Sequence, residues 1–176
     1  SGPSAFYAIQ CFLRENIDTN IDIYEKLPAP FGLVRYGVAP DHQKTKNIIR
    51  LFSRYLYEDK VQYFGNVEVG KDISIDLLSS FYDVLVVACG ATEDRKLNIE
   101  GENYDNVYGS AEFVGWYNGN PIHSKLSPNF NYKNAIIVGN GNVALDCARI
   151  LSKTKSELYQ SDIMDYTLEG LSKSSI

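Results

Sequence analysis

The chain has 176 residues, 44% apolar and 12% aromatic, enough for a packed core and too many to suit a disordered tail or linker. Its formal charge of -5 offers no global basic field for nucleic acid or an anionic membrane surface. The cysteines Cys11, Cys89 and Cys147 show no disulfide framework. With only His42 and His123 available there is no zinc-ligand spacing, and no apolar run approaches the length of a transmembrane segment.

The sequence opens directly on a turn, Ser1-Gly2-Pro3-Ser4-Ala5, that leads into helical spacing at Ala5, Ala8, Ile9, Phe12 and Leu13. This predicts an amphipathic helix with Pro3 in its first turn, where no hydrogen bond is lost, ending near Asn16. Ile21-Asp22-Ile23-Tyr24-Glu25 reads as a short parallel strand with an acidic end. Such a glycine turn lets backbone approach a pyrophosphate at a helix N-terminus. Glu25, twenty-three positions after Gly2, can then accept from both hydroxyls of an adenosine ribose. The alternative for Glu25 is a solvated strand terminus.

Residues 26–40 hold three prolines and two glycines, a composition that argues against regular helix and for a binding segment. Ile48, Ile49, Phe52, Tyr55 and Leu56 mark a second amphipathic helix, and residues 61–64 and 66–69 read as short strands around Gly65. Ser74 caps a short helix through Phe81, and 83–88 is the most strand-like run of the chain. A further strand is expected at 97–99, a helix from Ser110 to Tyr117 ending at Asn118-Gly119, and a crossing segment without apolar period from 121 to 133.

A second turn, Gly139-Asn140-Gly141-Asn142-Val143-Ala144, follows the apolar run 135–138 and precedes Val143, Ala144, Cys147, Ala148, Ile150 and Leu151 at helical spacing. It has the G-x-G-x-x-A pattern in the strand-turn-helix context that a dinucleotide requires; the alternative is a tight turn with glycine used for packing. Residues 152–161 read as a surface loop and 162–176 as a helix. Two cradles in series point to a flavin enzyme fed by a nicotinamide. The expected fold is α/β: a Rossmann-like, parallel-sheet FAD-binding domain over 1–120, a connection over 121–133, and the start of an inserted Rossmann-like domain for a nicotinamide dinucleotide over 134–176, the motif itself not deciding between NAD and NADP. A cradle of this kind is normally entered from a strand, so the chain is expected to be an internal piece of a longer protein.

Ile23-Tyr24-Glu25-Lys26, the run Pro30-Phe31-Gly32-Leu33-Val34-Arg35-Tyr36-Gly37-Val38-Ala39-Pro40-Asp41-His42, Gly65-Asn66-Val67-Glu68-Val69-Gly70, Phe113-Val114-Gly115-Trp116-Tyr117-Asn118-Gly119 and Gly139 to Asp146 together resemble the adrenodoxin reductase family, the mitochondrial-type ferredoxin–NADP reductases. The similarity runs from Gly2 to the last residues. It implies FAD held at Gly2 and Ser4 by its phosphates, at Glu25 by its ribose, and near Leu33 and Val69 along its length. It implies NADP on Asn140, Gly141, Asn142 and Val143. The implied activity is hydride transfer from NADPH to flavin and single-electron delivery to a ferredoxin- or adrenodoxin-type iron–sulfur protein, in a mitochondrion or related organelle. The family's paired arginines for the 2'-phosphate and its C-terminal flavin segment would lie after Ile176, so this span by itself is expected to be inactive.

Ala5, Ser4 and Asn140 stand where the family usually has Gly, Ala and Gln. The resemblance also places His42 near flavin and nicotinamide, either in a proton relay to a carboxylate or as a donor that fixes its loop. Trp116 and Tyr117 read as packing, Arg35 as a phosphate partner or a tie for the proline-rich segment, and residues 93–96 as a solvated turn. Disulfide reductases share the two cradles but need a redox cysteine pair that the three cysteines do not form. An amidotransferase-type synthase flavin subunit and a non-catalytic nucleotide-binding redox module are the other readings.

Overall fold

The computed structural model describes residues 1–15, 17–91 and 93–174; Asn16, where the first helix is expected to end, lies outside them. The chain forms two compact units, one of Ser1–Arg35 with Lys44–Ala91 and one of Tyr36–Gln43 with the described residues of Thr92–Ile176.

In the first unit, helix α1 (Pro3–Arg14) starts at Gly2, whose extended backbone forms the N-cap, and buries Phe6 and Ile9. Strand β1 (Ile21–Glu25) pairs in parallel with β2 (Val61–Gly65), in a register that sets Ile23 opposite Tyr63 and Glu25 opposite Gly65. Between them lie α2 (Gly32–Tyr36), α3 (Gln43–Lys46) and α4 (Ile48–Tyr55). The apolar stripe of α4 delivers Phe52 to a core of Phe6, Ile9, Ile23, Phe31, Val34 and Val61. Phe6 and Phe52 stack with ring centroids 4.9 Å apart, and Phe31 closes on Phe6 at 5.1 Å.

Helix α5 (Ile75–Phe81) is capped as expected: the Ser74 hydroxyl accepts from the Leu77 N–H at 3.1 Å. Ser74→Ala should therefore lower stability by about 1 kcal/mol, read from denaturant unfolding, with little change for Ser74→Asp.

The second unit contains α6 (Ser110–Tyr117), a single 3-10 turn at Pro121–His123, α7 (Asn142–Ser152), α8 (Lys155–Leu158) and α9 (Asp165–Leu171). Val114, Trp116, Tyr117, Phe130, Cys147, Ile150, Leu158, Ile163 and Leu168 make its core, so Trp116 and Tyr117 are packing residues. Asn118 and Gly119 end α6, Gly119 taking φ +75.

Several expectations are corrected. The proline-rich segment does contain helix: Pro28 and Pro30 precede α2 and Pro40 follows it, leaving a proline-free window for one turn. The loop expected over 152–161 carries α8, because Thr154 and Glu157 form a reciprocal capping box and Leu158 is buried. The helix expected over 162–176 is confined to α9; Ser175 and Ile176 lie outside the described residues.

Of 66–69 only Val69 bridges, to Ile73, and 83–88, 97–99 and 135–138 form no ladder. These runs have the composition of strands buried on both faces, yet Val87 is 79% and Ile136 91% exposed. Among the described residues no strand lies beside them to receive their backbone groups.

Candidate functional site

Each unit presents one glycine turn at the start of a long helix. In the first, Gly2 caps α1 without any side-chain hydrogen bond, and a Cβ placed on Gly2 would meet nothing within 4 Å. The turn is therefore open toward the helix N-terminus, where backbone N–H groups and the positive dipole end suit an anion. Phe31 and Gly32, at φ 89 and +46, fold the chain back beside it, and the Phe31 N–H donates to the Ser1 carbonyl at 2.9 Å. A Cβ on Gly32 would lie 2.8 Å from the Gly2 Cα. That contact explains glycine at this position.

Glu25, at the end of β1, stands beside the same turn. Its carboxylate accepts from the Ser1 amino group and hydroxyl, each at 2.8 Å, and from the Leu27 N–H at 3.0 Å. The Val67 N–H donates to the Glu25 carbonyl at 3.0 Å and so ties the segment carrying Val69 to this strand end. Ser4, Leu33 and Val69 are exposed. Arg35 is committed elsewhere, donating from Nε to the Pro30 carbonyl at 3.0 Å with its guanidinium over the Phe31 ring. It ties down the proline-rich segment.

In the second unit Gly139 takes φ +141 and Gly141 is the N-cap of α7, again with no side-chain cap and with nothing within 4 Å of an added Cβ. Asn140, Gly141, Asn142 and Val143 are all exposed around that turn. His42, Asn142, Leu145, Asp146 and Arg149 line a cavity of about 390 Å³ beside it. Nδ1 of His42 is 3.9 Å from Oδ1 of Asp146, a carboxylate that the sequence did not single out.

Asp41 accepts from Arg149 through Nε at 2.8 Å and Nη2 at 3.0 Å, and from Lys153 Nζ at 2.6 Å. The hydrogen bonds from Arg149, followed by that from Lys153, override desolvation and hold the Asp41 carboxyl far below its ordinary pKa of 3.8. A depressed folded-state pKa gives stability that is fully present above 3.8 and lost as pH falls toward the folded value. Melting temperature should thus fall below about pH 4, and Asp41→Asn should flatten that acid limb; equal acid limbs in both proteins would contradict the assignment.

Asp94, expected in a solvated turn, instead caps α6 from a distance: its carboxylate accepts from the Ala111 N–H at 2.8 and 3.0 Å, the Glu112 N–H at 3.3 Å and the Ser110 hydroxyl at 3.0 Å. All three cysteines are free, two of them exposed and Cys147 buried. Among the described residues no group of His, Cys, Asp and Glu could hold a metal, and no helix is long and apolar enough to cross a membrane.

A parallel strand pair with a glycine turn at the first helix, and a second glycine turn opening another helix, define a Rossmann-like nucleotide-binding architecture. The chain belongs to the pyridine nucleotide-disulphide oxidoreductase family, with the match running over residues 9–174. It is 45% identical over 177 residues to an Arabidopsis thaliana protein named NADPH:adrenodoxin oxidoreductase, mitochondrial, covering 100% of this chain and 37% of the relative. It is 44% identical over 176 residues to the NADPH-ferredoxin reductase FprA of Mycobacterium tuberculosis, covering 97% of this chain and 39% of that protein. The solved structure of Mycobacterium tuberculosis FprA in complex with NADPH superimposes with a TM-score of 0.94 at 44% identity, over 98% of this chain and 39% of that one. The chain thus spans little more than a third of the length of these relatives.

Proposed function

We propose that this chain is the cofactor-binding part of an FAD-dependent ferredoxin/adrenodoxin–NADP reductase. The observation that carries the reading is the placement of the Glu25 carboxylate beside the open Gly2 turn at the start of α1. A carboxylate there accepts ribose hydroxyls while the helix N-terminus takes the diphosphate. The relatives named as NADPH-dependent reductases of adrenodoxin and ferredoxin support the same cofactors and partner.

In this reading Gly2, Ser4, Glu25, Leu33 and Val69 hold FAD, and Asn140, Gly141, Asn142 and Val143 hold NADP. Residues 1–120 belong to the FAD-binding domain, 121–133 connect, and 134–176 begin the NADP-binding domain. The bound cofactors supply the redox chemistry, hydride uptake from NADPH and single-electron release to an iron–sulfur protein. The protein binds, orients and shields them. The Arabidopsis relative's name supports a mitochondrial or related compartment for this protein.

Full-length protein mixed with NADPH and a plant-type ferredoxin is the test. Oxidation of NADPH with two ferredoxins reduced per NADPH, as the electron balance requires, is expected. NADPH left unconsumed in the presence of either a ferredoxin or an adrenodoxin would contradict the proposal.

A further inference from the structure

The second unit holds a cluster of four charged side chains that neither its glycine turn nor its core requires. Asp41, only 11% exposed, receives both the fork of Arg149 and the ammonium of Lys153. The same Arg149 Nη2 reaches Oδ1 of Asp146 at 2.8 Å, and that oxygen is the one 3.9 Å from His42 Nδ1. Arg149 therefore joins a carboxylate on the His42 loop to the carboxylate that faces the His42 ring. Asp146 and Arg149 are one turn apart on α7, whose first residue, Asn142, lines the cavity with His42, and Lys153 follows directly as the residue that ends the helix.

The loop itself has little freedom. Pro40 precedes Asp41, and the His42 N–H closes a turn onto the Ala39 carbonyl at 2.9 Å. Pinning Asp41 within that turn fixes where the next side chain projects. An isolated surface ion pair does little for stability or geometry. Here a planar guanidinium bridges two carboxylates, a lysine seconds it, and the charges balance, which makes the cluster a geometric constraint.

We propose that Asp41, Arg149 and Lys153 are positioning residues that set His42 and Asp146 against the first turn of α7 in the arrangement that receives the nicotinamide nucleotide. This rests on the reading of the second turn as the NADP cradle. Asp146 lies 3.9 Å from the His42 ring and Arg149 lines the same cavity, while Asp41 and Lys153 join the cluster through their bonds to Arg149 and to each other. None of the three positioning residues needs to touch the nucleotide.

The experiment uses the full-length flavoprotein and the variants Arg149→Met, Arg149→Lys and Asp41→Asn. Three quantities are compared with wild type: the dissociation constant for NADP+, the rate constant of flavin reduction by NADPH, and the melting temperature. Arg149→Met and Asp41→Asn should each slow flavin reduction by on the order of tenfold or more, as misplacement of a pocket group does, and weaken NADP+ binding severalfold. Arg149→Lys keeps the charge but loses the fork, and should recover the melting temperature without recovering the rate.

Variants that melt earlier yet bind NADP+ and reduce flavin like wild type would overturn the proposal, as would full recovery of rate by Arg149→Lys. If Arg149→Met does not fold, Asp41→Asn, which keeps the side-chain volume, decides on the same readouts. A wild-type protein that binds no NADP+ would overturn the cradle reading itself and this inference with it. Wild-type binding beside unaffected variants overturns this inference alone.

Discussion

Glu25→Ala in the full-length protein should leave it largely free of flavin, with FAD binding weakened on the order of 100-fold. A carboxylate accepting two ribose hydroxyls makes two charge-assisted hydrogen bonds, each worth about 1.5–3 kcal/mol when one partner is removed. The lower end of that range already gives about 3 kcal/mol, and 1.4 kcal/mol is a factor of ten in affinity. Stability should also fall, by about 1 kcal/mol for each donor that loses its acceptor, the Leu27 N–H and the Ser1 nitrogen and hydroxyl, a loss eased by solvent access. Flavin titration and denaturant unfolding on the same preparation separate the two roles. A variant that unfolds earlier but retains stoichiometric FAD would reduce Glu25 to a strand-end tie.

Gly32→Ala should be the most damaging single-methyl change in the first unit. The backbone at φ +46 costs a residue with a Cβ about 1–2 kcal/mol. The new carbon also lands 2.8 Å from the Gly2 Cα, main chain that cannot swing aside as a side chain would. Adding the overpacking cost of about 1–3 kcal/mol gives a loss of roughly 3 kcal/mol. The Gly2 turn is the part that must move, so FAD content should fall together with stability. Gly90 supplies the comparison, since it has φ +70 but open space around an added Cβ. Gly90→Ala should cost only the backbone component, about 1–2 kcal/mol. Equal losses in the two variants would mean that the approach to Gly2 contributes nothing.

The parts of the fold legible in the sequence are those whose cause is local. The stripe from Ile48 to Leu56 predicts α4, the Ser74 hydroxyl marks the start of α5, and Asn118-Gly119 marks the end of α6. The alternation that makes β1 a strand also puts Glu25 at its end, twenty-three residues after the turn it stands beside. Local signals fail where a partner is needed. Residues 83–88 and 135–138 have every compositional mark of strands, but a strand exists only when a neighbour pairs with it. The box formed by Thr154 and Glu157 was readable from its spacing, and the serine-rich composition around it concealed the signal.

The candidate site divides the same way. Both glycine turns follow from pattern, whereas the meeting of His42 with Asp146 spans 104 positions and that of Asp41 with Arg149 spans 108. No spacing rule reaches so far. Only the fold reveals that the Asp41 carboxylate of the His42 loop lies against Arg149 and Lys153. Asp94 is a similar case, a distant carboxylate performing the capping that Gly109 has no side chain to perform.

The visible absorption spectrum of the purified full-length protein, recorded before and after anaerobic addition of NADPH, tests the central claim most directly. An oxidised-flavin spectrum at one FAD per chain that bleaches with NADPH is the predicted result. A colourless protein, or a flavin band that NADPH leaves unchanged, would contradict it.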